Sequence, residues 1–224
     1  MIFLVILHPI TNTYIKMEVL LADDHVYTRK GLQHIIKSEF SDVHVTEAEN
    51  GVSVLKLARE QQFDVIILDI SMPKLNGIET LKQLQQNDNH APVLVLSMHS
   101  EDQYALRALK AGASGYLTKA SAPEELIQAL HTILEGRKYI TGSLAEKLAG
   151  TLTGKQGQPH EQLSDREFLV LKMIASGKQV SGIAKELNLS IPTVSTYRAR
   201  ILFKMKMKSN AELTHYAISM GLME

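Results

Sequence analysis

Phe63-Asp64-Val65-Ile66-Ile67-Leu68-Asp69, followed at once by Ser71-Met72-Pro73 and Asn76-Gly77, is the stretch on which the reading of this chain turns. Val65 to Leu68 is wholly apolar and mostly β-branched, and Pro/Gly turn chemistry bounds it. Such a run reads as a buried central strand of a parallel sheet. A carboxylate at its C-terminal end, Asp69, falls where open α/β sheets place their chemistry. Two more carboxylates, Asp23 and Asp24, end the earlier run Met17-Glu18-Val19-Leu20-Leu21-Ala22. Three carboxylates on neighbouring strand ends repel one another. A cation among them relieves that repulsion, and Mg²⁺ prefers such oxygen ligands.

Outward from this strand, short apolar runs alternate with helical stretches from Met17 to about Gly136. Strands are expected at Val19–Ala22, Val43–Glu47, Asp64–Leu68, Pro92–Leu96 and Gly115–Leu117. Helices are expected at Tyr27–Glu39, Gly51–Gln61, Gly77–Gln86, Gln103–Ala111 and Pro123–Leu134. Five βα units of this spacing predict an α/β fold, a five-stranded doubly wound parallel sheet with helices on both faces. After Gln162 the period turns all-helical. Ser164-Asp165-Arg166-Glu167 is a capping box, and Phe168, Leu171, Met173 and Ile174 supply the apolar side of the helix it opens. Val180–Leu187, the turn Asn188-Leu189-Ser190 and a longer helix from Pro192 to about Met205 follow the helix-turn-helix layout. A last helix is expected at Asn210–Met220, making a small all-α four-helix domain.

The predicted organisation is an N-terminal extension over 1–16, an α/β domain over 17–138, a linker over 139–161 and the helical domain over 162–224. The extension holds an oily run of seven residues, far short of the roughly 20 that cross a membrane. It reads as dispensable or as an upstream choice of start, with a docked extra strand as the alternative. In the linker, Tyr139–Ala149 is a candidate short helix and 150–159 is rich in Gly, Thr and Gln, a flexible composition. Gly154-Lys155 lacks the rest of a nucleotide-binding loop.

The 224 residues contain no cysteine, which excludes disulfides, thiol nucleophiles and cysteine metal sites and fits a cytoplasmic location. The formal net charge of zero hides an asymmetry. From Glu161 to Glu224 there are nine Lys/Arg against six Asp/Glu, a net +3, which leaves −3 for the remainder. That direction suits an acidic regulatory part joined to a nucleic-acid-binding part. His131, His160 and His215 match no metal spacing, and His25 beside the acid pair reads as a loop or cap residue.

Asp23, Asp24, Asp69, Ser97 and Lys119 all end or follow strands of one sheet, so their side chains converge on one edge. Phosphoryl transfer to a carboxylate would use them all. Asp69 would attack phosphorus. Asp24 and Asp69, with Asp23 acting through water, would hold the divalent ion. Lys119 would pair with the carboxylate and then the phosphoryl group, to which Ser97 would donate a hydrogen bond. On these residues, with Met72-Pro73, Gly77 and Gly115-Tyr116, the chain resembles the response regulator receiver domain over roughly Met17 to Gly136. The resemblance implies that Asp69 takes phosphate from a sensor histidine kinase and also hosts slow hydrolysis. It further implies that the Ser71 backbone carbonyl is another Mg²⁺ ligand, and that Ser97 and Tyr116 report the charge to the face formed by the fourth helix, fifth strand and fifth helix.

From Leu163 to Leu222 the chain resembles the LuxR-type DNA-binding domain, which makes the whole similar to two-component response regulators of the NarL/FixJ class. Leu163-Ser164-Asp165-Arg166-Glu167, Ile183-Ala184-Lys185-Glu186-Leu187-Asn188-Leu189-Ser190, Thr193-Val194-Ser195-Thr196-Tyr197-Arg198 and Asn210-Ala211-Glu212-Leu213 carry the likeness. By helical spacing Val194, Ile201 and Met205 are core. The resemblance puts Ser195, Thr196 and Arg198 at the groove, Arg198 against a guanine edge or a phosphate. Ser190 and Thr193 are candidates for phosphate at the helix start, and Arg200, Lys204, Lys206 and Lys208 for backbone charge contacts. Many members carry Lys where this chain has Ser195 and His where it has Tyr197, so the reader face is less basic here. Global regulators of secondary metabolism and carbon storage are the more similar subset around these residues.

The expected function is therefore a phosphorylation-dependent regulator that binds double-stranded promoter DNA as a homodimer. A sensor histidine kinase is its donor, RNA polymerase a candidate partner, and no membrane is involved. Leu213, Tyr216 and Ala217 are expected either to form the dimer face or to pack within their own domain. Two alternatives are a phosphatase of the same fold, for which no substrate cleft is evident, and a phosphorylation-independent DNA binder whose receiver is only a dimerisation scaffold.

Overall fold

The structure, a computed structural model, describes residues 16–121, 123–152 and 158–223. The expectations for the N-terminal extension up to residue 15 and for residues 153–157 of the linker lie outside the described residues. In chain order the elements are β1 (Met17–Ala22), α1 (Val26–Glu39), β2 (Val43–Ala48), α2 (Gly51–Glu60), β3 (Val65–Leu68), α3 (Gly77–Gln86), β4 (Val93–Ser97), α4 (Glu101–Lys110), β5 (Gly115–Thr118) and α5 (Pro123–Leu134). Then come α6 (Gly142–Leu152), a 3-10 turn at Pro159–Gln162, α7 (Asp165–Ala175), α8 (Val180–Glu186), α9 (Ile191–Met205) and α10 (Asn210–Ser219). The chain divides into two compact units. One ends at Glu101 and resumes over Ala108–Ile140; the other comprises Asp102–Arg107 and Thr141–Glu224.

The first unit holds the expected parallel sheet, ordered β2-β1-β3-β4-β5. Its strands are apolar in both directions because both faces are covered. Val19, Leu21, Val65, Ile67, Leu94 and Leu96 pack in one cluster with Ile36 of α1 and Leu126, Leu130 and Ile133 of α5. The intervening Leu20, Ile66, Leu68 and Val95 are equally buried. Each such side chain contributes roughly 1.5–3 kcal/mol relative to exposure. Asn50 and Asn76 cap α2 and α3 by accepting from Ser53 N (3.1 Å) and Glu79 N (2.9 Å).

Most element ends shift by one or two residues, and the helix expected to end at Ala149 runs on to Leu152, into the stretch read as flexible. β5 extends to Thr118, so Lys119 follows it directly. α6 starts at Gly142 rather than Tyr139, because Thr141 Oγ1 accepts from Leu144 N (3.3 Å) and caps it. Tyr139 instead continues the sheet, its N–H donating to Ser114 O (2.9 Å).

In the second unit the α7 capping box is present. Ser164 Oγ accepts from Glu167 N (3.3 Å) and Glu167 Oε2 accepts from Ser164 N (2.8 Å). Phe168, Leu171, Met173 and Ile174 are buried as the period required, with Ile183, Val194, Ile201 and Met205. Asn188, in the left-handed region (φ 53°), makes the turn between α8 and α9. Of the two expectations for α10, packing within the domain is the one found. Leu213 and Ala217 are fully buried and the Tyr216 hydroxyl sits 2.8 Å from His160 Nδ1, so these residues are not a free dimer face. No helix among the described residues is long and apolar enough to cross a membrane.

Gly77 opens α3 with its N–H on Ile70 O (2.9 Å), and a Cβ there would lie 2.1 Å from Asp69 O. Gly31, exposed in mid-α1, has nothing within 4 Å of such a Cβ. Gly77→Ala is expected to lower the unfolding free energy of the first unit, read by urea denaturation, by about 1–3 kcal/mol or more. Gly31→Ala is expected to raise stability by about 0.5–1 kcal/mol.

Candidate active site and nucleic-acid interface

The register Ala22↔Leu68 brings the ends of β1 and β3 level. Asp69 N then donates to Ala22 O (2.9 Å) and Asp23 N to Ala48 O (3.1 Å), fixing both acids at the point where the strand order runs outward in two directions. On the other side of β3, Lys119 N donates to Ser97 O (2.7 Å). The Lys119 ammonium reaches back and lies 2.8 Å from Asp69 Oδ2 and 2.6 Å from Asp23 Oδ2.

Asp23, Asp69, Lys119 and Ser97 are all withdrawn from solvent. Burial, with Asp23 reinforcing it, pushes the Asp69 carboxyl above its ordinary value against the pull of Lys119. Burial works against the charge on Lys119, but the two carboxylates outweigh it and raise its pKa. Two buried negative charges thus share one positive charge. Asp23 Oδ2 is buried with only this ion pair and no aligned hydrogen-bond donor. Asp24 and His25 complete the cluster. Each of Asp23, Asp24, His25 and Asp69 places one ligand atom within 4.8 Å of the others. A net negative, oxygen-rich pocket with an undersatisfied carboxylate oxygen fits a hard divalent cation.

The surrounding residues hold this geometry. His25 stands at the N-cap of α1 as expected, but its ring is turned to the acids, Nδ1 lying 2.8 Å from Asp24 Oδ1 and 3.3 Å from Asp23 Oδ1. Ser71 N donates to Asp69 Oδ1 (3.3 Å), and Ser71 Oγ meets His99 Nε2 at 2.9 Å. Ser97 Oγ accepts from His99 N (3.2 Å). Tyr116 is 1% exposed and its hydroxyl donates to His99 O (2.7 Å), so the aromatic is already inward. Sequence reading missed Arg29. Buried in α1, it donates from Nη1 to Asp23 O (2.7 Å) and from Nε to Glu47 Oε2 (2.6 Å), pinning the acidic loop to β2. The available signal was a cation on the stripe shared with Leu32 and Ile36, where an apolar residue belongs.

In the second unit α9 follows the turn after α8. Ser190 caps it, Oγ accepting from Thr193 N (3.2 Å) and meeting Thr193 Oγ1 at 2.7 Å. Ser195, Thr196 and Arg200 are exposed. Arg198 and Lys204 are engaged within the domain. Arg198 Nε donates to Asn210 Oδ1 (2.6 Å), and Lys204 Nζ to Glu167 Oε2 (2.6 Å).

Residues 19–131 match the response regulator receiver domain family, and residues 161–217 match the bacterial regulatory proteins of the luxR family. Response regulator UvrY of Escherichia coli (strain K12) is 34% identical over 208 residues, 92% of this chain and 95% of UvrY. Response regulator GacA of Pseudomonas aeruginosa is 35% identical over 212 residues, 93% of this chain and 98% of GacA. The chain is a LuxR-type response regulator of the NarL/FixJ family. Among solved structures, RcsB from Salmonella enterica serovar Typhimurium, bound to promoter rprA in the presence of phosphomimetic BeF3-, superposes with a TM-score of 0.65 at 26% identity. That alignment covers 90% of this chain and 98% of RcsB. A receiver followed by a DNA-binding module makes this response regulator a transcription-controlling protein rather than a dedicated enzyme.

Glu167 joins the capping box of α7 to α9. Burial would raise its carboxyl, but Lys204 and the Ser164 groups outweigh burial and hold it below the ordinary 4.5. A depressed folded pKa gives stability that is complete above pH 4.5 and is lost as the pH falls through the lower folded value. Glu167→Gln should therefore cost about 1–2 kcal/mol at pH 7. The gap to the parent should close progressively below pH 4.5, read by urea unfolding with hydrogen exchange at the α7 amides.

Proposed function

We propose that this regulator accepts a phosphoryl group on Asp69 from a sensor histidine kinase and, once phosphorylated, binds promoter DNA through α9 as a homodimer. The observation that carries the reading is the Lys119 ammonium held between the Asp69 and Asp23 carboxylates at the C-terminal edge of the sheet. Asp69 Oδ attacks phosphorus, the P–N bond to the kinase histidine breaks, and that nitrogen keeps the electron pair and takes up a proton. Lys119, already 2.8 Å from Asp69 Oδ2, follows the charge onto the phosphoryl oxygens. The Ser97 hydroxyl donates to the same group and relaxes its grip on the His99 amide. Tyr116, hydrogen-bonded to the His99 carbonyl, takes that movement toward α4 and β5. Asp24, Asp69, the Ser71 backbone carbonyl and, through water, Asp23 would hold Mg²⁺, whose charge offsets that of the phosphoryl oxygens.

At the DNA, Ser190 and Thr193 at the start of α9 and Arg200 on its flank are the phosphate contacts, and Ser195 and Thr196 face the base edges. Arg198 and Lys204 act close to the phosphates while tethered to Asn210 and Glu167. RNA polymerase is the partner such a regulator would address, in the cytoplasm. RcsB bound to promoter DNA in the presence of a phosphomimetic supports the coupling by analogy.

DNA footprinting with and without a small phosphodonor tests this reading. The donor should lower the protein concentration needed for protection by at least about fivefold. Asp69→Asn should abolish the donor's effect and the base-labile acyl phosphate. Identical protection with and without donor, in both proteins, would instead make the receiver a scaffold.

A further inference from the structure

The reader helix divides its surface unusually. Val194, Ile201 and Met205 are buried, whereas Pro192, Ser195, Thr196, Ala199, Arg200 and Phe203 are exposed. At about 100° per residue, Pro192, Thr196, Ala199 and Phe203 fall within about 60° of one another, directly opposite the buried side. They form one strip along the helix, with Ser195 on one flank and Arg200 on the other. The middle of that strip bears no charge. The Thr196 hydroxyl is occupied by the Pro192 carbonyl (3.0 Å), which leaves its methyl as the free feature. The Phe203 ring is 86% exposed.

The other cations of α9 lie off the strip, Arg198 on Asn210 and Lys204 on Glu167. Arg200 is on the flank, Lys206 and Lys208 are exposed just beyond the helix end, and α9 contains no acidic residue. An apolar strip bordered by cations and free of anions complements a groove whose walls are phosphate and whose floor offers apolar groups. A guanine edge asks for a cationic fork at the centre of the reading face and an adenine edge for an amide; the strip has neither. Its methyls and ring suit the thymine C5 methyl, the one apolar group in the major groove.

We infer that Thr196, Ala199 and Phe203 form an apolar reading strip that selects thymines in the target site through their C5 methyl groups. The inference rests on α9 being the groove helix. It makes Ala199 and Phe203 specificity residues and leaves affinity to the flanking cations.

The test uses the full chain with a small phosphodonor. Preferred duplexes are selected from a random pool, and each thymine is then replaced singly by deoxyuridine, which removes only the methyl. Binding is read by fluorescence anisotropy. At the contacted positions deoxyuridine should weaken binding about three- to fivefold. Phe203→Ala should weaken the selected duplex and erase that penalty at one position while retaining it at the others. Phe203→Gln, which keeps length and helix propensity, should do the same, and circular dichroism verifies the fold of both. Arg200→Ala should weaken selected and random duplexes alike and flatten the salt dependence.

A selected duplex that tolerates deoxyuridine at every position overturns the strip and leaves DNA binding standing. So does a Phe203→Ala protein whose methyl penalties are unchanged but whose oligomer dissociates, which would make the ring a protein contact. A pool that yields no preferred duplex, with Arg200→Ala without effect on any DNA, removes α9 from the groove and the inference with it.

Discussion

Two buried carboxylates sharing one ammonium group are the constraint around which the first unit is built. Asp23 and Asp69 repel each other in a withdrawn pocket unless positive charge is supplied, and Lys119 supplies only half of it. The pocket is therefore electrostatically incomplete by construction. An oxygen-rich pocket left net negative in this way fits a hard divalent cation. A pocket neutralised within the protein would be stable and inert.

The rest of the unit keeps this unfavourable arrangement from relaxing. Arg29 grips the Asp23 carbonyl and anchors it to Glu47 of β2. Gly77 lets α3 start against the Asp69 carbonyl, at a separation no side chain would permit. His99 is the point where the pocket connects to the surface, since its amide donates to Ser97, its carbonyl accepts from Tyr116 and its ring meets Ser71. Ser97 and Tyr116 are thus bonded to the backbone of the same residue.

In the second unit the distribution of charge is equally specific. Of the basic residues on α9, two are committed to intradomain partners and one, Arg200, stands exposed. Lys204 fastens α9 to the capping box of α7 and so sets the helix orientation. The face of α9 opposite its buried side is left largely uncharged.

How much was legible in the sequence follows from the distance over which each interaction acts. The strands, the strand-end acids and the Ser164–Glu167 box were readable because they depend on periodicity or on partners within three residues. Lys119 could be placed near Asp69 because a parallel sheet brings strand ends to one edge whatever the loop length between them. The inward state of Tyr116, the clamp at Arg29, the commitments of Arg198 and Lys204, and the burial of Leu213 and Ala217 were not readable. Each depends on side chains that meet only once helices have packed, across 12 to 37 residues for the cations. Spacing fixes which face of its own element a residue occupies; only packing decides what stands opposite it, and so whether a charge is paired or free.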